Sequence, residues 1–115
     1  MFVIILTLYA AEQDYTYRPM AYKILTSVKP IQSDIESLLI KNEKVDIILS
    51  DYDLDTYVSK TTILESGAII IENNADQIMI LIPQLNNDQV NWQCIGKPSI
   101  QMPRGCRMPN IGQRD

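Results

Sequence analysis

The sequence predicts an α+β fold in which a long N-terminal helix packs on a four-stranded antiparallel sheet. Apolar residues recur at alternating spacings of four and three over residues 17–38, as they do along one side of a helix. After residue 60 the hydrophobic pattern changes to the two-residue period of strands, and turn-forming residues divide this part into short segments. Because a helix stripe and a sheet face each need cover, we expect the two to bury one another.

Length and composition fit a single globular domain over residues 1–115. Of the 115 residues, 46% are hydrophobic and 21% are charged, a composition typical of folded proteins rather than disordered ones. The net charge of -4 argues against sequence-independent binding to DNA or to an anionic membrane, since both need a basic face. The chain has no histidine, so it lacks the commonest general base and the usual zinc ligand. We therefore predict no enzymatic activity and no cofactor.

The N-terminus is an almost unbroken apolar run from Met1 to Leu8. As a helix it would be about 12 Å long, whereas the hydrocarbon core of a bilayer is about 30 Å thick. It also lacks the basic region and the cleavage site of a signal peptide. Two interpretations remain open. The run is either a buried strand or the first turns of a helix, or it is the end of a longer hydrophobic helix that begins before this sequence.

We expect the helix to extend through residues 1–44 and to be bent or broken near Pro30. A proline there would leave the carbonyl of Thr26 without its helical hydrogen bond. Ser33 and Glu36 have the spacing of a capping box, so a new helix start near residue 31 is possible. The spacing would also suit a coiled coil, but a sheet in the same chain favours packing on that sheet. The core stripe of this helix is predicted to contain Tyr17, Ala21, Ile24, Val28, Ile31, Ile35 and Leu38.

Residues 45–60 are predicted to form a long acidic loop between the helix and the sheet. Three aspartates in it have the opening spacing of a calcium-binding loop, namely Asp51, Asp53 and Asp55. The EF-hand form needs glycine at its sixth position and glutamate at its twelfth, where this chain has Thr56 and Thr62. A solvated acidic loop is therefore favoured over a calcium site.

The sheet is predicted to occupy residues 61–95. Turn signals at Ser66-Gly67, Asn73-Asn74 and Asn86-Asn87-Asp88 separate the strands. The four predicted strands are residues 61–64, 68–71, 78–82 and 90–94. The third has apolar residues on both faces, which predicts a central strand with one face on the helix and the other partly covered by loops.

Two cysteines, Cys94 and Cys106, lie in a run rich in glycine and proline near the C-terminus. Without histidine they cannot complete a structural zinc site unless carboxylates contribute, and their spacing is not that of a redox pair. A disulfide that closes a short terminal loop is favoured over free thiols, and it would indicate an oxidising compartment. Trp92 is expected to be a core residue beside this disulfide rather than a ligand-stacking residue.

Several segments resemble, in order, those of one family. Residues 11–18 (AEQDYTYR) are similar to a stretch midway along the N-terminal helix of type IV pilins. Residues 92–94 (WQC) and 102–107 (MPRGCR) resemble the C-terminal signature of major type IVa pilins. Residues 66–70 resemble the glycine-started first strand of the pilin sheet, and residues 81–83 resemble the strand that ends in a proline. The similarity extends over about residues 6–107.

The resemblance implies a structural subunit that polymerises through its N-terminal helix. Its sheet and loops would be displayed for adhesion, twitching motility or DNA uptake, with residues 41–60 as the helix-to-sheet loop. Cys94 and Cys106 would bound the outer loop of residues 94–106, followed by a loose tail over residues 107–115. The implied partners are other pilin subunits, a host surface receptor or DNA contacted by Arg104 and Arg107, and the inner membrane before assembly. The implied location is the bacterial cell surface, after an inner-membrane stage facing the periplasm.

The sequence departs from the family pattern at its start. The leader and the first part of the helix, about ten mature residues on this alignment, are not in the sequence.

Two alternatives to a pilus subunit of the major type stay open. One is a pseudopilin or minor pilin of a type II secretion or pilus-priming complex, and the other is a free periplasmic binding domain.

Overall fold

The computed structural model describes residues 18–106, in which two short helices precede a four-stranded antiparallel sheet. The predicted α+β class is confirmed, together with the strand number and orientation. Short 3-10 turns occur at Leu49–Asp51, Ser99–Gln101 and Arg104–Cys106. The main elements are α1 (helical residues 18–27), α2 (Lys29–Ile40), β1 (Val58–Ile63), β2 (Ile69–Asn73), β3 (Ile78–Asn86) and β4 (Gln89–Lys97).

The helical stretch is interrupted at Val28, between α1 and α2. Pro30 lies in the first turn of α2, and its nitrogen carries no hydrogen, so it cannot bond to the carbonyl of Thr26. Residues 18–40 therefore form two short helices rather than one long helix, and the break lies near Pro30, as one of the two predicted alternatives had it. The part of the prediction that concerns residues 1–17 lies outside the described residues.

The second helix begins earlier than the capping-box pattern suggests. Its first residue is Lys29, and its N-cap, Val28, makes no side-chain capping hydrogen bond. Pro30 suits this position because the first turn of a helix has no internal partner for its N–H groups. Ser33 and Glu36 thus do not cap a new helix, and Glu36 has a different partner, described below.

The helix ends at Ile40 and not at residue 44 as predicted. Asn42 takes a left-handed backbone conformation, with φ of 55°, which asparagine tolerates better than most residues. Its N–H donates to the Leu39 carbonyl at 3.1 Å, and the N–H of Glu43 donates to the Leu38 carbonyl at 2.9 Å. These bonds satisfy the last carbonyls of α2 and turn the chain away from the helix axis.

The strands lie in sequence order, β1-β2-β3-β4, so β3 is a central strand as predicted. Each connecting turn contains a residue with positive φ, namely Gly67 at 93°, Asp76 at 58° and Asn87 at 57°. Such residues are the usual means of reversing the chain in a tight turn. Gly67 and Asn87 lie in predicted turn segments, and Asp76 lies two residues after the predicted turn at Asn73-Asn74.

The sheet is longer at both ends than the predicted 61–95, because β1 begins at Val58 and β4 ends at Lys97, and β3 is longer than predicted within it. β1 begins at Val58, because Ser59 and Lys60 join an edge strand despite their polar side chains. β3 continues through Pro83, where the prediction ended it. Beyond Leu81 this strand pairs only with β4, and a proline is tolerated where a strand has one partner.

The hydrophobic core lies between the helices and one face of the sheet, which we call the inner face. Five residues of the predicted helix stripe are fully buried: Ala21, Ile24, Val28, Ile31 and Ile35. The inner face contributes Ile69, Ile71, Met79 and Leu81, all at most 3% exposed. Tyr17, the first residue of the predicted stripe, lies outside the described residues.

The predicted stripe is wrong at its last position. Leu38 is half-buried, and its neighbour Leu39 packs against the core instead. At 3.6 residues per turn, Leu39 is rotated by about 40° from Ile35 around the helix axis and Leu38 by about 60°. Leu39 therefore lies nearer the centre of the buried side of α2.

The opposite side of the sheet, the outer face, is open in the described part of the chain. Its Ile78 is 40% exposed, and a groove of about 340 Å³ lies over Ile78, Ile80 and Ile95. The expectation that loops partly cover this side is therefore wrong for residues 18–106. The outer face includes Ile70, Glu72, Ile78, Ile80, Ile82, Ile95 and Lys97, together with the polar residues Lys60 and Thr62 of β1 and Gln93 of β4.

Candidate functional site

The candidate site is the disulfide-bounded loop, residues 94–106, which folds back onto β4. The sulfur atoms of Cys94 and Cys106 are 1.97 Å apart and the two Cα atoms are 4.4 Å apart. Cys94 pairs with Leu81 of β3 on the inner face, and Cys106 is 5% exposed. The predicted disulfide is confirmed.

The disulfide-bounded loop lies close against β4 at Gly96. The side chain of Met102 is fully buried there. A Cβ atom on Gly96 would overlap the Met102 Sδ atom and would lie 3.1 Å from the backbone oxygen of Cys106. Position 96 therefore needs glycine for close packing. Gly96 was not predicted from the sequence, although a glycine within a strand pattern is a known signal of close approach.

A buried polar network joins the β2–β3 turn to the disulfide-bounded loop. Asn73 is 6% exposed and Gln77 is fully buried. The Asn73 Nδ2 group donates to Gln77 Oε1 at 2.5 Å, and Gln77 Nε2 donates to Gln101 Oε1 at 3.0 Å. The Asn73 Oδ1 atom in turn accepts the backbone N–H of Gln77 at 2.9 Å. Buried amides need such partners, so the network holds the loop in one position relative to the sheet.

This network could not be read from the sequence. Asn73 was assigned only to a turn, and nothing in the local pattern distinguishes Gln77 from a solvated turn residue. The contact between Gln77 and Gln101 spans 24 positions. Only the tertiary fold brings the two side chains together.

Trp92 connects β4 to α2. Its indole Nε1–H donates to Glu36 Oε1 at 2.7 Å, and its ring packs against the core cluster. Trp92 precedes Cys94 by two positions in β4, so the two side chains point to the same face of the sheet. The apolar ring of this tryptophan is thus packed in the core, and its one polar group has a hydrogen-bond acceptor. The partner Glu36 was missed because its spacing from Ser33 suggested a cap.

The loop between α2 and β1 is attached to the helix by Tyr52. Its hydroxyl donates a short hydrogen bond to Asp34 Oδ2. This bond holds the proton on the phenol and raises the pKa of Tyr52 to about 12, with further contributions from burial and from the charges of Asp34 and Asp51. This contact was not predicted from the sequence, because it joins residues 18 positions apart.

The three aspartates of this loop, Asp51, Asp53 and Asp55, do not form a metal site. Across residues 18–106, no group of three or more histidine, cysteine, aspartate or glutamate side chains could hold a metal ion. Asp51 and Asp53 are exposed, and Asp55 Oδ1 accepts the backbone N–H of Tyr57 at 3.0 Å. The last contact is a local turn of the kind that aspartate commonly forms.

Arg104 is exposed on the disulfide-bounded loop, at the start of its second 3-10 turn. Arg107, the other predicted surface contact, lies outside the described residues. The structure therefore places one of the two arginines beside the disulfide. In chemical terms, the described site is a covalently closed and internally hydrogen-bonded surface loop.

Comparison of the chain with protein-family models, with curated proteins and with solved structures found no match. None of the helices in residues 18–106 has both the length and the apolar character that crossing a membrane requires.

Proposed function

We propose that this chain is a structural subunit of a bacterial type IV pilus, working by polymerisation and surface display rather than by catalysis. The observation that carries the proposal is the disulfide between Cys94 and Cys106. It closes a loop onto the last strand of an antiparallel sheet that follows a helical region. This order of elements agrees with the order of the segments that resemble pilins.

The side of α1 turned away from the sheet supports a role in assembly. Tyr22 is 58% exposed, and on a helix it lies about 140° around the axis from the buried stripe. A large exposed aromatic residue can pack against a neighbouring subunit without disturbing the core. The helices would thus serve two surfaces, one toward their own sheet and one toward other subunits.

The two loops beside the sheet support a role in display. Ile48, in the loop between α2 and β1, is 61% exposed, and Arg104 is exposed on the disulfide-bounded loop. We propose that these loops face outward and that Arg104 contacts an anionic partner such as a host receptor or DNA. The protein would be located at the cell surface, after an inner-membrane stage that faces the periplasm.

The direct test is the composition of surface filaments sheared from cells that produce the protein. Peptide mass spectrometry of purified filaments should recover peptides from residues 61–97 as a main component. Recovery in trace amounts would favour the alternative of a minor pilin or pseudopilin. Filaments without these peptides, with the chain instead free in the periplasmic fraction, would contradict the proposal.

A variant on the exposed helix face sharpens this test. Tyr22→Glu should reduce filament incorporation at least tenfold, because it places a charge where neighbouring subunits would pack. Asp88→Ala, in the exposed β3–β4 turn, is the matched control and should incorporate normally. Both variants should unfold at the temperature of the parent chain. Equal incorporation of the two variants would argue against assembly through this helix face.

A further inference from the structure

The outer face of the sheet has a pattern that is symmetric about β3. In one row across the strands, Ile70 of β2 and Ile95 of β4 lie on either side of Ile80. In the next row, Glu72 of β2 and Lys97 of β4 lie on either side of Ile78. Neighbouring strands are about 4.8 Å apart, so the members of each pair lie at equal distances from β3.

This arrangement is apolar at its centre and charged at its rim. Ile78 is 40% exposed, and the groove of about 340 Å³ is lined by Ile78, Ile80 and Ile95, together with Gly96 and Lys97. The acidic and the basic side chain lie on opposite sides of the central strand. A surface with this pattern is complementary to a copy of itself.

We propose that two copies of this chain pair through their outer faces, about a two-fold axis parallel to β3. Rotation about that axis places β2 of one copy opposite β4 of the other. Glu72 then faces Lys97 of the other copy, and the reverse pair forms by symmetry. Ile70 faces Ile95 in the same way, while Ile78, Ile80 and Ile82 each meet their own counterparts. Each copy thus contributes one acid and one base to two identical ion pairs around an isoleucine layer.

Another symmetry axis or another kind of partner would agree less well with the charges of the outer face. An axis parallel to the strands but between β2 and β3 would place Lys60 opposite Lys97, which is repulsive, and Glu72 opposite Ile78. An anionic amphiphile could use Lys97, but Glu72 at the same apolar surface would repel its head group. Pairing about β3 is the arrangement that uses both charges.

The pairing is expected to be weak. Only three strands per copy overlap, which is less than the about 800 Å² per partner that standard interfaces bury. Association should therefore be visible by sedimentation between about 10 µM and about 1 mM, as a concentration-dependent shift from monomer to dimer. The inference is independent of the proposed function, because it concerns the free chain and not its incorporation into filaments.

Charge reversal provides the test of specificity. Glu72→Lys or Lys97→Glu alone should weaken dimerisation about tenfold, since each turns two attractive pairs into two repulsive ones. The double variant Glu72→Lys/Lys97→Glu should restore it. Glu72→Lys also places a lysine beside Lys60 within one copy. The double variant keeps this internal change, so recovery of the dimer would come only from the contact between copies.

Cross-linking tests the position of the axis. Ile80→Cys should be cross-linked between two copies by a short bismaleimide, because residue 80 meets its own counterpart. A bifunctional reagent is used because facing sheets pack about 10 Å apart, which is too far for a direct disulfide. Thr62→Cys is the matched control, since β1 lies outside the overlap and its residue 62 has no counterpart. Peptide mapping without reduction would verify that Cys94 and Cys106 remain paired. A monomer at about 1 mM, no rescue by the double variant, or equal cross-linking at residues 62 and 80 would each overturn the proposal.

Discussion

Gly96 is the residue at which the packing of the disulfide-bounded loop leaves least room. Gly96→Ala should lower the free energy of unfolding by about 1–3 kcal/mol, the usual cost of adding a methyl group to a well-packed site. Met102 would have to move, although its side chain is fully buried. Urea unfolding followed by tryptophan fluorescence would measure the change.

Gly105 provides the control for this substitution. It lies in the same loop, but a Cβ atom there would meet no atom within 4 Å. Gly105→Ala should therefore leave the free energy of unfolding within about 0.5 kcal/mol of the parent. Equal effects of the two substitutions would show that the loop does not pack tightly against β4.

Tyr52 gives the stability of the protein a defined dependence on alkaline pH. The pKa of its hydroxyl is raised from 10.0 to about 12 in the folded protein, chiefly by its hydrogen bond to Asp34. The folded state therefore holds this proton more tightly than the unfolded state does. The stabilisation is fully present below pH 10 and is lost as the pH rises through 12.

The comparison of Tyr52→Phe with the parent isolates this effect. Below pH 10 the variant should be less stable by about 1 kcal/mol, the value of a typical hydrogen bond. The difference should shrink between pH 10 and pH 12, because the parent loses the bond when Tyr52 ionises. Thermal unfolding of both proteins across this range would measure it, and other titrating groups cancel in the comparison. A difference that stays constant to pH 12 would contradict this account.

At the scale of the elements, the covalent closure of the disulfide-bounded loop should stabilise the fold. Replacing Cys94 and Cys106 by serine should lower the free energy of unfolding by roughly 3 kcal/mol, as expected for a loop of this length. The fold should survive at low temperature, because Gln101 and Met102 still attach the loop to the sheet. Urea unfolding would measure the loss, and the reduced parent chain should behave like the variant. An unchanged midpoint would mean that the loop is equally restricted without the disulfide.

Sequence patterns predicted the features that depend on residues close to one another in the chain. Turn residues identified the reversals near Gly67, Asp76 and Asn87, since each turn needs a left-handed residue there. The proline at position 30 indicated the helix break. The start of β1 was not predictable in this way, because its polar residues become a strand only by pairing with β2.

In the candidate site, too, only the features with a local sequence signal could be predicted. The two cysteines were recognisable as a pair from their number and position alone. The residues that hold the loop in place were not, because Gln77, Gln101 and Met102 act through contacts made by the tertiary fold. Similarly, the partner of Trp92 lies 56 positions away, in α2.

At the scale of the whole molecule, the sheet separates a covered inner face from an open outer face. The sequence of β3 is apolar on both faces, so its alternation cannot tell which face the helices cover. The burial of two neighbouring residues in the adjacent strand β2 shows which face the helices cover. Ile71 is fully buried on the inner face, whereas Ile70 is half-buried on the outer face.

This difference makes the two isoleucines a matched pair for testing how the helices and the sheet pack together. Ile71→Ala should lower the free energy of unfolding by about 2–5 kcal/mol, because it leaves a cavity beneath the helices. Ile70→Ala removes the same atoms from the outer face and should cost about 1 kcal/mol or less. The measurement is made below about 10 µM, where the proposed dimer would dissociate. Urea unfolding monitored in parallel by circular dichroism and by Trp92 fluorescence would measure both costs. Because the core joins both helices to the sheet, the two signals should change together in each variant. Equal costs at the two positions would mean that the helices do not cover the face that contains Ile71.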